Sequence, residues 1–150
     1  MTTRILLASA VLATCVTVTL AQSNVLPATA LMKENGRYMY GVLGRMAKGE
    51  VAYDQAKVDE AIAKLAEDAA KIPAAFPESS KGKVTPDSRY STSTKAWDNR
   101  ADFEEYAKNL SKVISDNRGK IKSLEGLKAA YPEINDACNG CHNDYRIRKS

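Results

Sequence analysis

The stretch ACNGCHNDYR, residues 137–146, constrains this chain more than any other. It holds two of the three cysteines and the single histidine. On a helix Cys138 and Cys141 stand at i and i+3, and His142 at i+4 from Cys138, so all three project from one face. Two thiols so placed reach the two vinyl groups of one haem while the imidazole ligates its iron. Cys-x-x-Cys-His reads as c-type haem attachment. Three other readings compete. A thioredoxin-like redox pair needs a strand–turn–helix context, which the sequence lacks. A zinc site needs a second ligand pair, and no further histidine exists to supply it. A disulfide would leave the adjacent histidine without a role.

The remaining segments repeat a helical period and none alternates convincingly like a strand. Met32, Asn35, Met39, Val42 and Met46 step by three and four within a first segment, Leu26 to Lys48, which Gly49 closes. Asp54 is a good N-cap for a second, carrying Val58, Ile62, Leu65, Ala69 and Ile72, and Pro73 ends it. A third runs from about Thr94 to Asn117 with Phe103, Ala107, Leu110 and Ile114 on one stripe. The fourth covers roughly Ser123 to Arg148, with Leu124, Leu127, Ile134, Cys138, Cys141 and Tyr145 inward; Pro132 is expected to kink or divide it. The pattern predicts an all-α fold, an antiparallel up-down-up-down four-helix bundle. The long link between Ile72 and Ser93 is expected to cover a pocket.

The N-terminus gives an address. Arg4, the uncharged apolar run Ile5–Leu20 and the small residues Thr19 and Ala21 predict a signal peptide, residues 1–21, cleaved after Ala21. The run is too short and too rich in Ala and Thr for a membrane span, and Thr14 is a poor residue before a lipidated Cys15. Residues 22–150 then form one haem-binding domain in the periplasm. That domain carries 21 basic and 18 acidic side chains, too even a balance for nucleic-acid binding. Docking to acidic redox partners is compatible with it, as is either a monomer or a homodimer.

With one histidine in the chain, the strong axial ligand left for the sixth position is methionine. In an antiparallel bundle the start of the first helix lies beside the end of the fourth, which puts Met32 at the level of His142. Met39 and Met46 fall about 10 and 21 Å further along the axis at 1.5 Å per residue. The alternative, that all three methionines are core fillers, stays open on spacing alone. The same layering brings Ile72, Trp97 and Phe103 to the haem pocket, beside Tyr145. Arg37, Arg100 and Arg146 are candidates for the propionates or the proximal face, and each could equally be a solvated arginine.

A C-terminal Cys-x-x-Cys-His-x-x-Tyr-Arg, Cys138 through Arg146, at the end of a four-helix chain resembles the class II cytochromes c, the cytochrome c-prime family. Further stretches agree: LMKENGRYM (31–39), KGEVAYDQAKVDEA (48–61), FPESSKG (76–82), KAWDNRADF (95–103) and LKAAYPEINDAC (127–138). The resemblance is nearest to the low-spin cytochrome c-556 type. It implies one covalent haem c, Met32 as sixth ligand and a basic residue, Arg146, beside the proximal histidine. High-spin members usually carry an aliphatic or aromatic residue where this chain has Met32.

The expected function is single-electron transport with His/Met ligation. The alternative is binding of nitric oxide or carbon monoxide at an open distal site. An enzyme is not expected, because no distal acid–base residue is available.

Overall fold

The computed structural model describes residues 25–150; the expected signal peptide lies outside the described residues. Four helical rods pack into the expected bundle. The first is built in three pieces, α1 (Ala28–Gly36), a π-helical segment (Arg37–Gly44) and α2 (Arg45–Ala47). Gly49 turns the chain with φ of 76°, a left-handed conformation that glycine adopts without a Cβ penalty. The second rod is α3 (Gln55–Lys71), the third α4 (Lys95–Asp98) followed by α5 (Arg100–Arg118), and the fourth α6 (Leu124–Tyr145).

The start signals act as expected. The Asp54 carboxylate accepts the Lys57 amide at 3.1 Å, and the Ser123 hydroxyl accepts that of Gly126 at 3.2 Å. The predicted stripes of α3 and α5 face inward, and that of α6 does so at Leu127, Ile134 and Tyr145; in the first rod Tyr38 and Leu43 are buried beside Met39 and Met46, while Met32, Asn35 and Val42 are half-buried. Val58, Ile62 and Leu65 of α3, Phe103 and Ile114 of α5, and Leu127 and Ile134 of α6 are buried in one core. Each such side chain contributes about 1.5–3 kcal/mol on leaving water. The first rod packs on α3 and α6, and α5 lies between α3 and α6. Gly44 marks the tightest approach of the first rod to α6: a Cβ there would stand 2.8 Å from the Tyr131 hydroxyl.

Three expectations are corrected. Pro132 does not divide α6, which runs unbroken from Leu124 to Tyr145. Pro132 is exposed, so the carbonyl that loses its amide donor faces water. The third rod is broken at Asn99, whose ψ of 54° leaves the helical region. The fourth rod does not reach Arg148. Its last residues leave the helix as β2 (Arg146–Arg148), paired antiparallel with β1 (Tyr90–Thr92).

That pairing gives the long link its shape. Leu26 N–H donates to the Val84 carbonyl at 3.0 Å, tying the chain before α1 to the link. Ser93 N–H donates to the Tyr145 carbonyl and Lys149 N–H to that of Arg89, at 2.9 and 2.8 Å, tying the C-terminal tail to it. The link is a seam across the end of the bundle that carries the cysteines.

Candidate functional site

α6 presents Cys138, Cys141 and His142 within its last two turns. Both thiols are free and half-buried, and burial pushes each up to about 11. Redox-active cysteines show the opposite displacement, so these are neutral thiols on an apolar face and the thioredoxin-like reading fails. Burial first, and the charge of Arg146 second, push the His142 imidazole down to about 4. It is therefore neutral at physiological pH, the form that ligates a metal. Its buried Nδ1 has no hydrogen-bond partner among the described residues. Among the described residues no group of three or more His, Cys, Asp and Glu side chains is arranged to hold a metal ion. A haem fits this donor set: two unpaired thiols and one neutral imidazole on a single helix face.

The expected pocket residues fall into one aromatic cluster with Ile72 beneath it. Trp97, Phe103 and Tyr145 are buried, as is Ile72. They are joined by Phe76, which the sequence reading left in the link. Its ring centroid lies 5.8 Å from Trp97 and 4.9 Å from Phe103, and Phe103 lies 5.1 Å from Tyr145. Tyr106, also missed, adds an edge-on contact to Tyr145 at 5.7 Å. Its spacing of three from Phe103 on the same helix was a usable signal. Such near-perpendicular pairs contribute about 0.5–1.5 kcal/mol beyond burial.

Polar anchors fix the cluster. Trp97 Nε1 donates to the Pro77 carbonyl at 3.0 Å, and the Tyr145 hydroxyl to Asp102 at 2.6 Å. Desolvation, then this carboxylate, pushes the Tyr145 phenol well above its ordinary range. Tyr106 donates to Asp144, which pushes its phenol up to about 12.

The arginine candidates separate. Arg100 donates to the Pro73 and Phe76 carbonyls at 2.7 and 2.8 Å and pairs with Glu104 at 2.6 Å, so it braces the link. Arg37 lies exposed against Glu34 and the Tyr38 ring. Arg146 is exposed and its charge reaches His142.

The three methionines also separate. Met39 and Met46 are core residues, 2% and 3% exposed, whereas Met32 is half-buried. Met32 lies in α1, Met39 within the π segment and Met46 after it; an i→i+5 turn takes in more residues than an α turn, so the three do not keep one seven-residue phase. Thr29 and Asn35, three residues before and after Met32, each bury a side-chain oxygen with no partner among the described residues. A partly buried Met32 with two such polar residues three positions away differs from the fully buried Met39 and Met46.

The chain matches known proteins along nearly its whole described length. A family model described as Cytochrome C' covers residues 26–146. A cytochrome c-556 of Rhodopseudomonas palustris is 42% identical over 145 residues, 97% of each chain. A cytochrome c-555 of Bradyrhizobium diazoefficiens is 42% identical over 79% of this chain and 78% of its own. The solved cytochrome c' of Rhodopseudomonas palustris superimposes with a TM-score of 0.74 at 32% identity, over 86% of this chain and all of the other. These relatives are cytochromes, redox proteins rather than enzymes, and the family works in electron transfer or gas binding. From the helical bundle, the Cys-x-x-Cys-His face and these matches together, the chain belongs to the cytochrome c' family, whose cofactor is a covalently attached haem c.

Proposed function

We propose that this protein is an exported single-electron carrier, with haem c attached through Cys138 and Cys141 and its iron held between His142 and Met32. The observation that carries the ligation is the register of the first rod against α6. Gly44 lies against Tyr131. Eleven residues on from Tyr131 is His142, and eleven back from Gly44 in the antiparallel rod is Lys33, next to Met32. Met39 falls about 9 Å away from that level, and it is already committed to the core.

When bound, the haem iron supplies the one-electron couple. His142 and Met32 would hold that iron, and a methionine sulfur would raise its potential relative to two nitrogen ligands. The chain's own residues do the rest. His142 stays neutral and available. Ile72, Trp97, Phe103 and Tyr145 exclude water from the pocket, and Arg146 sets a positive charge beside the proximal imidazole. The signal peptide, residues 1–21, delivers a single domain, 22–150, to the periplasm, where its partners are acidic redox proteins met transiently. Among the described residues no helix is long and apolar enough to cross a membrane.

The gas-binding alternative draws on the buried Thr29 Oγ1 and Asn35 Oδ1, which have no partner among the described residues and stand three positions either side of Met32 in the sequence. Met32→Ala decides between them. The wild type is expected to give a six-coordinate low-spin ferrous spectrum and a weak far-red ferric sulfur band. The variant is expected to become five-coordinate and to take up carbon monoxide readily. An unchanged spectrum in the variant would reassign the ligand, and a five-coordinate wild type would favour gas binding.

A further inference from the structure

Two arginine guanidinium groups lie over one tyrosine ring at the haem-bearing end, and a third arginine stands opposite that tyrosine in the ribbon. In the β1–β2 register Arg148 stands opposite Tyr90 and Arg146 opposite Thr92, so by strand alternation these four project from one face of the ribbon. The Arg146 guanidinium lies 4.2 Å from the Tyr90 ring centroid, and that of Arg89 lies 5.5 Å from the same ring. Asp87 offsets only part of this charge. Its carboxylate accepts the amides of Arg89 and Tyr90 at 2.7 and 3.1 Å, and stands 4.0 Å from Arg89 Nε at the limit of an ion pair. Lys149 pins the ribbon from behind, its Nζ donating to the Thr85 and Asp87 carbonyls at 3.2 and 2.7 Å.

Gathering like charges on one small face is unfavourable unless something else meets them, and every residue of β2 is exposed. Arginine presents a planar fork that binds carboxylates bidentately, and an aromatic ring among arginines is typical of interface centres. The ribbon is also continuous with the site. Arg146 follows His142 by four residues, and the Arg146 amide donates to the His142 carbonyl. We propose that the face formed by Arg89, Tyr90, Arg146 and Arg148 is the docking surface for a carboxylate-rich patch on a redox partner protein. This rests on the electron-carrier reading and gives that carrier the place at which electrons enter or leave.

The test uses the holoprotein and ferricyanide, an anionic oxidant. Its rate of oxidising the reduced protein is measured against ionic strength. The rate is expected to fall as salt rises. Arg89→Gln with Arg148→Gln should lower the low-salt rate roughly 3–10-fold and flatten the salt dependence. Lys120→Gln with Lys122→Gln removes the same charge from the opposite end of the bundle and should leave the rate near wild type. Arg146 is kept, because its charge reaches His142. Equal effects from the two double variants, or none from the ribbon variant, would overturn the proposal. So would binding to phosphatidylserine vesicles that only the ribbon variant loses, which would make the occupant a lipid surface. Failure of the carrier reading shows separately, as a five-coordinate spectrum, while the salt dependence still reports on the ribbon.

Discussion

Asp68 is a carboxylate in the wrong place for stability, and removing its charge should strengthen the fold. It sits on the inward face of α3, 5% exposed, with Leu65 and Ile72 on either side along the same stripe. One oxygen lies 3.7 Å from Lys71 Nζ; the other is buried without a partner among the described residues. Burial pushes its pKa above the ordinary 3.8, Lys71 opposes this, and Glu34 and Glu67 add to the rise. A buried polar group left unsatisfied costs about 1–3 kcal/mol. The Lys71 amine is half exposed and returns well under 1 kcal/mol. Asp68→Asn keeps the shape and removes the charge, so a gain of about 1–2 kcal/mol is expected at neutral pH, or roughly 3–8 °C in Tm.

The sign with pH follows from the direction of the shift. A carboxyl whose folded pKa is raised binds its proton more tightly when folded. The wild type is therefore least penalised below 3.8 and loses stability as pH rises from there through the raised folded value. The advantage of the Asn variant should be full at about pH 7 and vanish at about pH 3.5. Thermal melts of both holoproteins, followed by far-ultraviolet circular dichroism at the two pH values, measure it. An advantage of equal size at both, or a loss at neutral pH, would refute the reasoning by showing that the ionised carboxylate is satisfied in solution.

Other changes test the site and its supports. Cys138→Ala with Cys141→Ala should abolish covalent haem, read as loss of haem stain on a denaturing gel. Tyr145→Phe removes the hydroxyl bonded to Asp102 and should cost about 1–2 kcal/mol in denaturant unfolding, with no change in the spectrum. Gly126→Ala would set a Cβ 2.7 Å from the Lys120 carbonyl, a backbone atom, and should cost about 1–3 kcal/mol by the same assay.

The rods were legible because their inward positions repeat every three or four residues, and because Asp54, Gly49 and Ser123 are unambiguous punctuation. The cluster of Trp97, Phe103 and Tyr145 followed from topology alone, since their helices end in one layer. What escaped was set by partners distant in sequence. β1 and β2 are three residues each, too short to show alternation, and exist because the link and the tail meet. Phe76 follows Pro73 in a stretch that reads as loop, yet it fills the centre of the aromatic cluster. The π segment leaves no mark in the apolar pattern, although the buried Met39 lies within it and the half-buried Met32 before it.

The seam across the haem end has a consequence for connectivity. By binding Leu26 to Val84 and Lys149 to Arg89, it brings the two ends of the described chain to one short loop. A circular permutant opened at Gly49 and joined from Ser150 to Val25 by a flexible linker would exchange one surface connection for another without displacing a helix. The first and fourth rods, which on the proposed His142 and Met32 ligation would hold the haem between them, would then be adjacent in sequence, and the loop closure that aligns them would become local.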